Sequence, residues 1–191
     1  VFTEEEDGKI KFFYSKIDGN AHLRDTTLSV HSVLKIEGDV DASSGDIIAG
    51  NDVEISGSVR DGAKINAAGS VTVLGRVESG VTISAKGDVV VIEGVQGEKT
   101  KIIALGNVET RYVRDSSIMA KEDITIGDHC HNANVRSGRE LIVKSGDSDR
   151  GGSSIGGQVH ATTRLKADSI GSGTSSGTIV CIAADIAIEA K

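Results

Sequence analysis

Between Val53 and Val95 an aliphatic residue stands at every sixth position without a break: Val53, Val59, Ile65, Val71, Val77, Ile83, Val89 and Val95. Glycines punctuate the run at Gly57, Gly62, Gly69, Gly75, Gly80 and Gly87. Three hexads make eighteen residues, and at that spacing the chain repeats its own chemistry: Asp52-Val53-Glu54-Ile55, Ser70-Val71-Thr72-Val73, Asp88-Val89-Val90-Val91. Short β-branched runs at a fixed period between turn residues specify a solenoid, because each unit buries its apolar side only by stacking on the next.

The register extends beyond this core. The first strand of each turn begins at Leu34 and recurs at Val53, Val71, Val89, Val108, Ile124, Leu141 and Leu165, with steps after Val53 of 18, 18, 19, 16, 17 and 24. A second column, Ile47, Ile65, Ile83, Ile102, Ile118, Val135 and Val159, shows the same six steps. Chance periodicity does not keep irregularities in phase. Within each first strand, alternation turns Val53 and Ile55, Val71 and Val73, or Ile124 and Ile126 inward. Lys35, Glu54, Thr72, Glu109, Thr125 and Lys166 then point to water, and Val90 and Ile142 are the apolar exceptions.

The expected fold is therefore all-β, a single-stranded right-handed parallel β-helix of about 18 residues per turn and seven or eight coils. Stacked at about 4.8 Å, the coils make a rod of about 35–40 Å. Period alone does not separate this from the left-handed form. The right-handed hand is favoured because most first strands offer two inward aliphatics, and because the uneven steps suit looser corners. Residues 34–182 form the helix; residues 1–33, which do not repeat, form a β cap over its open end; residues 183–191 begin a terminal strand or a connection. In the cap, Thr3 to Gly8 reads as a solvated acidic segment, and Lys9–Tyr14 and Leu28–Val33 as short strands. The segments 145–154 and 171–177 have loop composition and bulge from corners.

Composition narrows the function classes. With 24 Gly, no Pro, no Trp and 3% aromatic residues, the core is a stack of Val and Ile rather than a globule packed around rings. A net charge of −7 with scattered Lys and Arg argues against nucleic acid, which needs clustered cations. No apolar run of the length of a membrane span is present. The two cysteines, Cys130 and Cys181, are too few for a disulfide framework, so a reduced, cytoplasmic setting is the expected default.

Few residues carry chemistry. Asp128-His129-Cys130-His131 is the best metal candidate, since imidazole and thiolate ligate zinc. Alternation on a strand separates Cys130 from the two histidines, so an inward Cys beside two solvated His at a corner is the favoured reading. His160 follows inward Val159 and is expected at the surface. Asp52, Ser70, Asp88, Asn107, Asp123 and Glu140 precede successive first strands. Such a column suits calcium or a sugar groove, but Asp, Asn and Ser also serve tight corners by bonding their own backbone, and that use is preferred. No catalytic, cofactor or metal residues are assigned. The protein-contact candidates are Val90, Ile142 and, in the inserted loop, Asp147, Asp149 and Arg150.

Several segments resemble the flagellar assembly protein A (FapA) family of bacteria. Ile36-Glu37-Gly38-Asp39-Val40-Asp41-Ala42-Ser43-Ser44-Gly45-Asp46-Ile47 is similar to the start of that family's β-helix. Gly87-Asp88-Val89 resembles its rungs, and Ile155-Gly156-Gly157-Gln158-Val159-His160-Ala161, Ile170-Gly171-Ser172 and Thr178-Ile179 its closing turns. The resemblance covers residues 34–182. It implies a bacterial cytoplasmic protein with a right-handed parallel β-helix and a non-catalytic scaffold role in flagellar assembly or its regulation. Protein partners of the flagellar system are expected, with self-association as a further route, and no cofactor. A β-helical carbohydrate-active or acyl-transfer enzyme, and a polymerising element like the bactofilins, are the alternatives.

Overall fold

The computed structural model describes residues 2–7, 10–15, 19–24, 27–144, 152–172 and 177–182, with the early strands described by their backbone course. Strands β1 (Phe2–Asp7) and β2 (Ile10–Ser15) pair antiparallel, as do β3 (Asn20–Arg24) and β4 (Thr27–His31). The acidic stretch lies on strand β1, where Glu4, Glu5 and Glu6 stand opposite Phe13, Phe12 and Lys11 in a hairpin ladder. Among the described residues neither hairpin joins the main sheet. Among the described residues, Gly19 reaches the solenoid: with the Asn51 amide donating to the Gly50 carbonyl at 2.9 Å, its oxygen accepts from the Gly19 N–H at 3.1 Å.

From Val33 to Ile182 the strands are parallel and each pairs with the equivalent strand of the next coil, forming a β-solenoid of three sheets. The first sheet pairs Leu34 with Val53, then Val71, Val89, Val108, Ile124, Leu141 and Leu165. The third pairs Ile47 with Ile65, Ile83, Ile102, Ile118, Val135, Val159 and finally Val180. Every step predicted from the two columns is realised, including the step of 24 that carries the insertion. Between them the second sheet stacks Val40, Val59, Val77, Val95, Val113, Cys130, Ser154 and Ile170.

These inward residues make one dry core. Val53, Ile55, Val59, Ile65, Val71, Ile83, Val89, Ile102, Ile124 and Leu141 are all at most 1% exposed. Removing each such side chain from water contributes about 1.5–3 kcal/mol. The third sheet differs from the first: its inward pairs are one large and one small residue, Ile65 with Ala67, Ile83 with Ala85, Ile102 with Ala104 and Ile118 with Ala120. Inward pairing therefore varies between sheets of one solenoid, so two inward aliphatics on a first strand do not report the winding sense.

The corners differ as well. From the third sheet to the first, the step is six residues in every coil: Ile47 to Val53, Ile65 to Val71, Ile83 to Val89, Ile102 to Val108, Ile118 to Ile124, Val135 to Leu141 and Val159 to Leu165. All variation in coil length falls at the other two corners. The two ends are also unlike. At the first coil Leu34, Ile36 and Ile47 are half-buried against the core. At the last, Ile170, Val180 and Ile182 are 47%, 40% and 54% exposed although they continue inward columns.

Candidate functional site

The strand Ile124–Ser137 carries the metal candidate through the second sheet. It is one continuous strand rather than the expected corner at these residues, with a register shift opposite Thr110 and Tyr112. Cys130 is 1% exposed and pairs with Val113 and Ser154. Burial pushes its thiol up to about 11, against the opposing effect of the Ser154 hydroxyl. His129 faces outward, its ring stacked on Tyr112 at 5.4 Å and 6°, with Nδ1 3.3 Å from an Asp128 carboxylate oxygen. His131 is exposed and pairs with Arg114. The inward thiol and the outward imidazoles cannot share an ion. Among the described residues no three His, Cys, Asp or Glu side chains converge as a metal site.

His160 is not the surface residue that alternation predicted. It is 9% exposed and its Nε2 has no hydrogen-bond partner. Arg136 and Cys181 occupy the paired positions on the coils before and after it.

The carboxylate column is a corner ladder with a partner the sequence did not specify. Asp52 Oδ1 accepts from Ser70 N–H at 2.8 Å, Ser70 Oγ from Asp88 N–H at 3.1 Å, and Asp88 Oδ1 from Asn107 N–H at 2.7 Å. Asn107 Oδ1 then accepts from Asp123 N–H at 3.1 Å, and Asp123 Oδ1 from Glu140 N–H at 3.0 Å. Each side chain binds the backbone of the following coil, where a corner residue was expected to bond its own backbone. One acceptor atom of each side chain is thereby used to hold coils in register.

Of the contact candidates, Val90 and Ile142 are only half-buried, while Asp147, Asp149 and Arg150 lie outside the described residues. More exposed apolar side chains sit one position past the first-sheet strands: Leu74 at 43% and Ile92 at 54%. The N–H of Ile92 donates to Val73 and that of Leu74 to Ile55, so the two stack on consecutive coils. With Val90 and the methyl-bearing Thr72 beside them they form a largely apolar quartet on a face that also carries pairs such as Lys35–Glu54 at 3.1 Å. Stacking the positions that follow each strand, Ser56, Leu74, Ile92 and Arg111, is the signal that finds it. Ile48, at 81%, is exposed on the third sheet of the first coil.

A shallow open groove of about 620 Å³ crosses the corners between the second and third sheets, lined among others by Lys99, Lys101, Asp115, Asn132, Asn134 and Gln158. Lys99, Asp115 and Asn132 hold left-handed backbone with φ of 62°, 51° and 48°. Asn132 Nδ2 donates to Asp115 Oδ1 at 2.8 Å, tying successive corners. Its lining surface is more apolar than polar, and no aromatic ring is among its lining residues. No helix among the described residues is long and apolar enough to cross a membrane.

A family model, the Flagellar Assembly Protein A beta solenoid domain, matches residues 32–191. No curated protein is matched, and no solved structure is matched.

Proposed function

This chain belongs to the Flagellar Assembly Protein A family, and from that membership we propose that it is a non-catalytic scaffold for a protein of bacterial flagellar assembly or its regulation, working in the cytoplasm. The observation that carries the scaffold reading is the quartet Thr72, Leu74, Val90 and Ile92, with Leu74 and Ile92 43% and 54% exposed on an outward sheet face. A contiguous apolar patch framed by charged neighbours suits a protein partner. The stiff ladder beneath it presents the patch in one geometry, which lowers the ordering cost of binding. The non-catalytic reading is supported by dispersal: His129 lies outside the second sheet, His160 is enclosed on the third, and the corner carboxylates are used by backbone donors.

The test is capture from flagellated cells by purified protein, comparing the native chain with a Leu74→Asp/Ile92→Asp variant. Loss of a flagellar component from the captured set, with an unchanged unfolding midpoint, supports the reading. Retention by the variant overturns the patch, and capture of no flagellar component by the native chain overturns the flagellar assignment. A second reading, end-to-end assembly, is favoured by the exposed Ile170, Val180 and Ile182 at the last coil. Sedimentation velocity over a wide concentration range separates the two, since open-ended growth belongs to a filament and a discrete species to a scaffold.

A further inference from the structure

In the second coil, the corner between the second and third sheets is a four-residue turn, Arg60-Asp61-Gly62-Ala63. It is closed by the Ala63 N–H, which donates to the Arg60 carbonyl at 3.1 Å. Asp61 and Gly62 both hold left-handed backbone, with φ of 43° and 76°. Two positive φ values under one such bond make a type I′ turn, the setting that favours Asp-Gly. Lys99, Asp115 and Asn132 share the left-handed conformation. Only at Asp61 is the residue that follows a glycine.

This corner is chemically open. Among the described residues neither the Asp61 carbonyl nor the Gly62 N–H is bonded, whereas the equivalent N–H of Gly80 in the next coil donates to the Glu98 carbonyl at 3.0 Å. Asp61 and Gly62 are exposed, and a Cβ placed on Gly62 would meet nothing within 4 Å. The adjacent Arg60 guanidinium is drawn to Asp39 at 2.9 Å and Glu78 at 4.0 Å. The Asp61 carboxylate carries no hydrogen bond or ion pair among the described residues. A five-membered ring between Asp61 Cγ and the Gly62 nitrogen needs that nitrogen on the same side of the Cα–C bond as Cβ. Type II′ backbone supplies this, with ψ of about −120° at the first central residue and φ of about −80° at the second. From type I′, only the peptide plane between Asp61 and Gly62 has to turn over; the positive φ of Asp61 and the closing hydrogen bond are kept. Glycine takes either sign of φ without a Cβ penalty.

We infer that Asp61–Gly62 is a site of backbone rearrangement in the folded chain, where the Gly62 nitrogen attacks Asp61 Cγ to give a succinimide that opens to isoaspartate. The N–Cγ bond forms as the carboxyl C–O bond breaks, and the amide proton leaves with that oxygen as water. One water then adds to the ring. Cleavage at Cγ returns aspartate; cleavage at the main-chain carbonyl leaves the chain running through Cβ and Cγ, with no net change in mass. The product is one backbone atom longer. It lies in a corner whose span already varies, from five residues between Val113 and Ile118 to seven between Val95 and Ile102, so the coils keep their register. Asp115 is the contrast within the same chain: its Oδ1 accepts from Asn132 Nδ2 at 2.8 Å, and the following Ser116 is 7% exposed.

Peptide mapping with electron-transfer fragmentation, which tells isoaspartate from aspartate, tests this on the full chain stored at neutral pH, folded and in denaturing urea. Mapping also separates Asp61 from the other two Asp-Gly pairs, Asp7-Gly8 and Asp18-Gly19. Folded Asp61 is expected to rearrange within tenfold of its unfolded rate, while Asp115 is at least tenfold slower folded than unfolded. Asp61→Asn keeps the turn, since Asn-Gly also favours type I′, and should react at least tenfold faster by releasing ammonia in place of water. Protection of folded Asp61 by tenfold or more overturns the inference, and so does an Asp61→Asn variant that stays intact. Rearrangement of folded Asp115 at its unfolded rate overturns it too, because the turn would then confer nothing.

Discussion

Asp52 and Gly69 use the same volume. A Cβ built on Gly69 would run into the Asp52 carboxylate oxygen, the oxygen that accepts from the N–H of Ser70. The pattern recurs at Gly87 over Ser70 and Gly106 over Asp88. A corner glycine here is chosen for the absent side chain, since Gly69 and Gly87 carry no left-handed φ. The polar side chain of one coil and the missing side chain of the next are one device.

Gly69→Ala is expected to destabilise the chain by about 1–3 kcal/mol, as overpacking of a closed site does. Gly50, where an added Cβ meets nothing within 4 Å, is the control, and Gly50→Ala is neutral or stabilising by up to about 1 kcal/mol. Urea unfolding midpoints of the two variants check the contrast. Equal midpoints would refute the steric account.

Asp88 is the busiest rung of the ladder, accepting from both the backbone N–H and the side-chain Nδ2 of Asn107 at 2.7 and 3.1 Å. Asp88→Ala removes both bonds and is expected to cost about 0.5–1.5 kcal/mol. Asp88→Asn keeps an acceptor for the backbone donor and should lose less than half as much. If both variants unfold at the native midpoint, the ladder contributes no stability.

Ile83, 0% exposed, and Ile48, 81% exposed, are the same residue type at inward and outward positions of the third sheet, respectively. Ile83→Ala leaves a void between coils and is expected to cost about 2–5 kcal/mol. Ile48→Ala should stay within about 0.5 kcal/mol of the native chain. Calorimetry or denaturant titration distinguishes them, and comparable losses would contradict a core confined to the inward columns.

Cys130 gives a pH dependence with a definite sign. Its folded thiol is raised from 9.0 to about 11, so the unfolded chain loses this proton first. The contribution to stability is fully present below pH 9 and falls as pH rises towards about 11, by at most about 1.4 kcal/mol per pH unit. Cys130→Ala is expected to flatten that part of the profile. At neutral pH a thiol reagent should modify half-exposed Cys181 in the folded chain and spare Cys130. Labelling of both at equal rates would refute the burial.

The solenoid was legible because its signal is redundant. Val71 and Ile83 each repeat up and down their columns, and the irregular steps of 16, 17 and 24 occur in both columns together. Surface and enclosure were less legible, since neighbours on an outward face are 16 to 24 residues apart in sequence. His160 is buried, and its register partners Arg136 and Cys181 both lie far from it along the chain. Leu74 and Ile92 sit just past the strand ends, where corner residues were expected, so the more exposed half of the apolar quartet was passed over for Val90. The Asp and Ser column was read as corner chemistry from residue type alone, and only the three-dimensional register showed its bonds running to the next coil.

The invariant six-residue corner makes the solenoid a ruler as well as a rod. Because length changes are confined to the other two corners, every coil returns to the same line on the surface one strand spacing, about 4.8 Å, further along. A segment cut from Val71 to one residue before Val89 removes one graduation without shifting the others sideways. A duplicated segment adds one. The separation between the quartet at Leu74 and Ile92 and the last coil can thus be set in discrete steps by sequence alone, so distance is a heritable property of this fold in a way that it is not in a globule.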